Sequence, residues 1–181
     1  RRLSQVVSCA QPYRFDRAIL MGSGGAPMTP TPDLFAMVKY YDDPSPEAML
    51  SLIRAFMVDT SRYGDAIEQI AADRARYAAR ADIRRSHERT FSPQGPPLVF
   101  TPEQLAGIDH QVLLLHGRED RIIPVAASHH LAQHLPNAQL HVLPNTGHWV
   151  QIEQADRFVA LSELFLGEAT SAARAEQDPA A

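Results

Sequence analysis

The sequence has 181 residues, of which 45% are hydrophobic and 21% charged, and a formal net charge of −4 at pH 7; these values indicate an ordinary globular chain long enough to bury a core. The acidic balance argues against a nucleic-acid partner or an anionic membrane surface, because phosphate binding requires a basic surface. The single cysteine, Cys9, excludes a disulfide framework or a cysteine metal site within one chain and favours a cytoplasmic protein, and no apolar run approaches the roughly 18 residues of a membrane helix.

The first 26 residues indicate the end of one half of an α/β core. Residues 3–10 resemble the end of a helix that stops at Pro12. The apolar run 17–21, followed by the glycine-rich residues 22–25, is typical of a buried strand that leads into a loop. Residue 1 is arginine and no signal peptide follows, so we expect the sequence to begin within a longer protein.

Residues 27–97 predict a helical insertion. A short helical piece at 34–40 is flanked by prolines, and longer helices are expected from Pro46 onward, at 65–80 and at 82–91. A turn-rich segment at 92–97 ends the insertion. The apolar residues expected to face inward are Leu50, Ile53, Phe56, Met57, Ile67 and Ile70.

Residues 98–167 predict two strand–helix units. The strands are expected at 111–116 and 139–143, and the helices at 125–135 and 156–166. This alternation favours parallel strands joined by right-handed crossovers. The polar, alanine-rich residues 168–181 are expected to form a flexible tail. The predicted fold class is therefore α/β, with parallel strands and a helical insertion.

Two loops carry residues typical of acid–base chemistry. Asp120 follows the first of these strands in His116-Gly-Arg-Glu-Asp-Arg-Ile-Ile-Pro124, and His148 follows the second in Pro144-Asn-Thr-Gly-His-Trp149. Alone, a loop aspartate is more often a turn residue and a lone histidine more often a surface or core residue. As an ordered pair beyond successive parallel strands, they match the acid and histidine of α/β-hydrolases. His148 would accept a proton from a nucleophile or water, and Asp120 would orient and stabilise its imidazole.

These motifs resemble those of the meta-cleavage product hydrolases, which cleave carbon–carbon bonds in ring-fission products of aromatic degradation. The resemblance covers about residues 6–166 and rests on residues 19–25, 56–61, 117–124 and 147–149. It implies the C-terminal part of an α/β-hydrolase fold in which residues 27–97 form a lid. It also implies an enzyme of aromatic hydrocarbon catabolism that acts on a small anionic dienoate, needs no cofactor or metal, and forms homo-oligomers at full length.

The resemblance further implies a lid arginine that binds the carboxylate of the dienoate. Arg76 fits the pattern best and Arg74 is the alternative; both are equally compatible with a solvated helix face. An anionic substrate in an apolar pocket needs such a cation. Trp149 is expected to line the pocket, with Phe56 and Ile122 as further candidates, although each of these three could be an ordinary core residue.

The sequence contains no Gly-x-Ser-x-Gly nucleophile motif, and Ser4 and Ser8 lack flanking glycines. Alignment with the family places the nucleophile about three residues before Arg1. We therefore expect the chain alone to be inactive, to expose a sheet edge, and to be unstable or to associate. Two alternatives stay open: an esterase, lipase, haloperoxidase-like or epoxide hydrolase relative that shares the same motifs, and a non-catalytic remnant or binding module.

Overall fold

A three-stranded parallel sheet lies at the centre of the residues that the computed structural model describes, which are 16–92 and 99–168. The central strand pairs in parallel with a neighbour on each side, so that Leu114 lies between Leu20 and Leu140. The predicted α/β class with parallel strands is confirmed. In chain order, which is also their order in the sheet, the strands are β1 (Arg17–Met21), β2 (Gln111–Gly117) and β3 (Ala138–Leu143).

The described residues form eight helices. Four of them separate β1 from β2 as a helical region, and a fifth, short one immediately precedes β2. One connects β2 to β3, and two follow β3. They are α1 (Pro32–Val38), α2 (Pro46–Phe56), α3 (Ala66–Ala78), α4 (Ala81–Phe91), α5 (Pro102–Ala106), α6 (Ala126–His134), α7 (Val150–Glu153) and α8 (Ala155–Gly167), with 3₁₀ turns at Tyr40–Asp42 and Ser61–Tyr63.

Capping residues and prolines define where the helices begin. The side chains of Thr31 and Ser45 accept backbone hydrogen bonds at the starts of α1 and α2, each followed by a proline at the first helical position. The predicted long helices are confirmed within a few residues. The sequence analysis missed α5 and α7 because five and four residues are too few to display a helical period. The capping box of Thr101 and Gln104 was the available signal for α5.

Both faces of β2 are buried, which explains its uninterrupted apolar sequence. Val112 and Leu114 join one cluster, which is covered by residues around α5 and α6. Leu113 and Leu115 point to the opposite face and pack with Phe165 of α8. All four leucine and valine side chains are fully buried, as expected for a parallel strand between two helical layers.

A third cluster fills the helical region and reaches the loop after β2. Ile53, Phe56 and Met57 of this cluster are buried, as predicted, although Met57 lies just beyond the end of α2. Ile67 of α3 is also buried and Ile70 partly so. Ile122 belongs to the same cluster, so the helical region packs directly on the loop that carries Asp120.

Some predictions concern residues outside the described ranges. They are the helix end at 3–10 with Ser4, Ser8, Cys9 and Pro12, most of the turn at 92–97, and the tail beyond residue 168. None of the described helices is both long and apolar enough to cross a membrane.

Candidate active site

The loops that follow β2 and β3 cross in direct backbone contact. Arg118 and Glu119 donate backbone hydrogen bonds to the carbonyls of Leu143 and Thr146, over 2.9 and 3.0 Å. A Cβ atom on Gly117 would lie only 2.1 Å from the carbonyl oxygen of Gly147. Gly117 therefore permits the approach that brings the two motifs together.

Asp120 and His148 form a hydrogen-bonded pair at this crossing. Nδ1 of His148 lies 2.8 Å from Oδ2 of Asp120. Because a carboxylate can only accept, Nδ1 must carry the hydrogen, which leaves Nε2 of His148 free to accept a proton. The Asp120 side chain is fully buried and that of His148 is 22% exposed, so the base has access to the site and the acid does not.

Four donors surround the Asp120 carboxylate. Oδ1 accepts the backbone N–H groups of Ile122 and Ile123 at 2.8 and 2.9 Å, and Oδ2 faces His148 and Nε2 of His116, the latter at 3.3 Å. Burial alone would raise the pKa of Asp120, but the hydrogen bonds from His116, His148 and Ile123, and the charge of His148, outweigh it and lower the pKa from 3.8 to about 2. Asp120 is therefore a carboxylate throughout the physiological range.

His116 is a site residue that the sequence analysis missed. Its side chain is fully buried, with Nε2 at 2.8 Å from the carbonyl oxygen of Ile123 and Nδ1 at 2.6 Å from the hydroxyl of Ser128. Since a carbonyl only accepts, Nε2 carries the hydrogen and Nδ1 of the neutral ring accepts from Ser128. The signal in the sequence was a single polar residue at the end of an otherwise apolar strand.

Gly22 presses its backbone against the acid–base pair. Its φ is 47°, in the left-handed region that favours glycine. A Cβ atom there would lie 2.8 Å from Nδ1 of His148 and 3.1 Å from Oδ2 of Asp120, closer than side chains pack. The absence of a side chain at Gly22, just after β1, therefore leaves the space that Asp120 and His148 occupy. The Gly22 backbone covers the hydrogen bond between these two residues.

An aromatic wall connects His148 to the helical region. The ring centroid of Phe56 lies 5.6 Å from that of His148 and 4.8 Å from that of Trp149. The guanidinium of Arg74 stacks on Trp149, with its central carbon 4.6 Å from the ring centroid. Within the described ranges, Arg74 has no carboxylate at ion-pair distance, so its charge is available to a ligand.

The structure separates the two arginine candidates. Arg74 lies at helical spacing between the buried Ala71 and Ala78 of α3, and its exposed side chain reaches Trp149. Arg76 points elsewhere: its side chain is 77% exposed and pairs with Asp73. The geometry therefore favours Arg74, which was the alternative in the sequence analysis, over Arg76.

Ile122 differs from the other candidates in its surroundings. It is fully buried in the cluster of the helical region, and its backbone carbonyl accepts a hydrogen bond from the Thr31 hydroxyl. Ile122 also donates its N–H to Asp120. These contacts indicate a residue that fixes the acid loop against α1, since its side chain is enclosed among neighbours.

A cavity of about 520 Å³ lies among the helices of the helical region. Phe56 and Arg74 form part of its lining and so connect it with the aromatic wall. Methionine and tyrosine side chains make up half of the other lining residues, among them Met37, Met49 and Tyr77, and Asp73 and His87 also line the cavity. Such a volume and lining suit a small, largely apolar organic molecule with one anionic group.

The arrangement supports proton transfer by His148. His148 presents a free Nε2, and the buried Asp120 carboxylate would stabilise the imidazolium that forms when Nε2 accepts a proton. Among residues 16–92 and 99–168, no group of three or more histidine, cysteine, aspartate or glutamate side chains is arranged to hold a metal.

Comparison with known proteins identifies relatives in aromatic degradation. The 2-hydroxymuconate semialdehyde hydrolase of Pseudomonas putida is 37% identical over 92% of this chain and 59% of its own length. A serine hydrolase structure from the polyaromatic hydrocarbon-degrading bacterium Cycloclasticus zankles matches with a TM-score of 0.81 at 40% identity, over 91% of this chain and 59% of that one. The meta-cleavage product hydrolase of Pseudomonas fluorescens IP01 matches with a TM-score of 0.79 at 32% identity, over 92% and 62%.

The chain spans about three fifths of the length of these relatives. The resemblance to meta-cleavage product hydrolases is confirmed by their names and by the shared fold. Residues 5–161 match the alpha/beta hydrolase family as a whole. The chain therefore belongs to the alpha/beta hydrolase family.

Proposed function

We propose that this chain supplies the acid, the base and the substrate-binding wall of a hydrolase that cleaves carbon–carbon bonds in 2-hydroxy-6-oxo-dienoates from aromatic ring fission. The observation that carries the proposal is the 2.8 Å pair of His148 and an ionised Asp120, placed beyond adjacent parallel strands. The aromatic wall, with Arg74 stacked on Trp149, adds a binding surface beside it. The relatives named above support the substrate class.

In the proposed reaction, water divides the substrate into a 2-hydroxypentadienoate and a carboxylic acid. The dienol first takes its keto form, and the nucleophile then attacks the distal carbonyl. Nε2 of His148 removes the proton of the attacking hydroxyl, while Asp120 holds the imidazole and stabilises its charge. The bond between the carbonyl and the dienoate then breaks, and its electrons are retained by the dienoate carbon, which takes up the proton held by His148. The acyl group remains on the nucleophile until a water molecule, deprotonated in turn by Nε2 of His148, releases it as the carboxylic acid, and the nucleophile regains its proton.

Arg74 is the proposed ligand of the dienoate carboxylate. It combines a guanidinium that pairs with no carboxylate among residues 16–92 and 99–168 with a position on both Trp149 and the cavity. A planar guanidinium suits a carboxylate because it can donate two parallel hydrogen bonds. Phe56 and Trp149 would hold the conjugated part of the substrate between this cation and His148.

The proposed organisation follows these roles. Residues 27–97 would act as the lid over the substrate, residues 1–26 and 98–167 as parts of the hydrolase core, and residues 168–181 as a tail. The contact of Phe56 with His148 supports a lid that reaches the base. We also propose that the full-length enzyme works in the cytoplasm and forms homo-oligomers.

The nucleophile and the oxyanion donors would have to come from outside these 181 residues, since the sequence has no Gly-x-Ser-x-Gly motif. The test is a fusion in which the part of the Pseudomonas putida relative that this chain does not match precedes Arg1. We expect the fusion to cleave 2-hydroxymuconate semialdehyde, seen as loss of its absorbance, while the chain alone does not. In the fusion, His148→Ala should lower kcat by about 10³-fold or more.

Two outcomes would contradict the proposal. One is a folded fusion that hydrolyses simple aryl esters but leaves the dienoate intact, which would favour the esterase alternative. The other is a fusion whose dienoate cleavage survives His148→Ala. Binding of the dienoate to the unfused chain is an independent test of the proposed substrate. It can be followed by the fluorescence of Trp149, the sole tryptophan, which lies in the aromatic wall. If the dienoate does not quench this fluorescence in a saturable way, the result counts against the proposed class of substrate.

A further inference from the structure

We infer that Glu153 is a positioning residue, which holds the base His148 in register with the end of α2; its catalytic consequence rests on the proposed function. Glu153 lies four residues beyond Trp149, in α7, and neither the acid motif nor the histidine motif includes it. Its two carboxylate oxygens bind two different segments of the chain. One of these segments follows Phe56 of the substrate wall, and the other carries His148.

One oxygen of Glu153 binds the segment that follows α2. Oε1 accepts the backbone N–H of Val58 at 2.7 Å and approaches that of Asp59 at 3.4 Å. These N–H groups come just after Phe56, whose ring contacts His148 and lines the cavity. Glu153 therefore fixes the chain directly beyond a residue of the substrate wall.

The other oxygen binds the loop that carries the base. Oε2 accepts the backbone N–H of Gly147 at 2.6 Å, one residue before His148. The backbone N–H groups of His148 and Trp149 donate to the carbonyl of Phe56, at 2.7 and 3.3 Å. The histidine loop and the end of α2 are thus joined both directly and through Glu153.

The contact is too close for the two segments to shift independently. A Cβ atom on Gly147 would lie 2.6 Å from the carbonyl oxygen of Phe56, 3.1 Å from Oε2 of Glu153 and 3.2 Å from Cα of Met57. Bonds from backbone N–H groups to a carboxylate are stronger than those between neutral groups. The Glu153 carboxylate and the Phe56 carbonyl consequently set the distance between the cavity wall and the base together.

Removing the Glu153 carboxylate should affect the position of His148 indirectly, through the backbone of the histidine loop. Glu153→Ala leaves the N–H groups of Val58 and Gly147 without their acceptor, so the histidine loop can move relative to Asp120. Misplacement of a catalytic group by about 1 Å can lower a rate by about 100-fold. Glu153→Gln retains one acceptor oxygen and should be intermediate, whereas Glu153→Asp keeps the charge on a shorter arm.

The primary experiment observes the histidine rings of the ¹⁵N-labelled fusion described above by NMR, which needs a folded protein but no turnover. In the wild type, we expect the Nδ1–H form of His148 with a slowly exchanging ring proton. Glu153→Ala should give mixed tautomers and speed exchange of that proton by about 10-fold or more, in keeping with loss of a positioning bond, and Glu153→Gln should lie between. The matched control is Glu163→Gln, an exposed glutamate of α8, which should leave the His148 signals unchanged.

The fusion described above supplies a second measurement. Glu153→Ala should lower kcat by about 10- to 100-fold while KM changes far less, and Glu153→Asp should restore part of the rate. Glu153 variants that lower only the melting temperature, with wild-type His148 tautomer, ring-proton exchange and kcat, would overturn the inference. If the wild-type fusion itself is inactive, the proposed function fails, whereas the NMR comparison still decides the role of Glu153.

Discussion

Gly22→Ala should disrupt the acid–base pair at a site where only one methyl group is added. The new Cβ would lie 2.8 Å from Nδ1 of His148 and 3.1 Å from Oδ2 of Asp120, so one of these side chains must move. The positive φ of 47° adds backbone strain for any residue with a Cβ. Strain of this kind costs about 1–3 kcal/mol and overpacking about 1–3 kcal/mol, so the variant should lose about 2–6 kcal/mol of unfolding free energy.

Two other glycines separate these contributions. Gly64 also has a φ of 47°, with a ψ of −136°, and nothing lies within 4 Å of a Cβ placed there, so Gly64→Ala measures the cost of a positive φ without the clash. Gly24 is two residues from Gly22, lacks a positive φ, and would bring its Cβ only into ordinary contact with Ile123. Gly24→Ala should therefore change stability little. Urea denaturation followed by Trp149 fluorescence compares all three variants with the wild type.

The decisive comparison is between Gly22→Ala and Gly64→Ala. The first variant should lose at least about 1 kcal/mol more than the second, the lower end of the overpacking cost. It should also shift the ring-nitrogen signals of His148, whereas the second should not. Equal losses in the two variants, with unchanged His148 signals, would refute the argument that Gly22 is required by contact with the pair.

Three further predictions concern charge. Arg74→Ala should weaken dienoate binding by about 10-fold or more, because a charged hydrogen bond is lost, while Arg76→Ala should change the affinity little. The affinity is measured by quenching of Trp149 fluorescence. A larger loss of affinity in Arg76→Ala than in Arg74→Ala would restore Arg76 as the ligand. Because folding lowers the pKa of Asp120 to about 2, its carboxylate stabilises the fold above about pH 4, and about 2 kcal/mol of this stabilisation is lost as pH falls toward 2. Urea denaturation should show that the difference in unfolding free energy between the wild type and Asp120→Asn shrinks over that range. A constant difference would contradict this. His116→Gln should raise the pKa of Asp120, because a neutral amide donates a weaker hydrogen bond than the ring. The unfolding free energy that is lost in acid should therefore become smaller. An unchanged loss of unfolding free energy would exclude His116 as a determinant of that pKa.

The arginine choice illustrates what local patterns can and cannot provide. Positions 74 and 76 lie about 200° apart around a helix, so only one of them can face a given neighbour. The sequence carried a signal, since Arg74 lies at helical spacing along the face of α3 that carries the buried Ile67, Ala71 and Ala78. That face meets Trp149, which is 75 residues further along the chain, and no spacing rule predicts such a contact.

Glu153 and His116 escaped the sequence analysis for a related reason. Each acts on backbone or side-chain groups that belong to another part of the chain. The partners of Glu153 are Val58, 95 residues away, and Gly147, and those of His116 are Ser128 and the acid loop. A polar residue at the end of an apolar strand could have drawn attention to His116, but a glutamate in a short helix has no comparable signature.

The sequence by itself determined the strands, the long helices and the ordered pair of Asp120 and His148. Burial of a parallel strand on both faces demands an unbroken apolar run, and catalytic loops of such sheets follow the carboxyl ends of the strands. Only the tertiary structure decided which arginine meets Trp149, how closely Gly22 covers the pair, and that one carboxylate joins the end of α2 to the histidine loop. These are contacts between segments distant in the chain, and their geometry depends on how the helices pack, which short-range residue patterns do not encode.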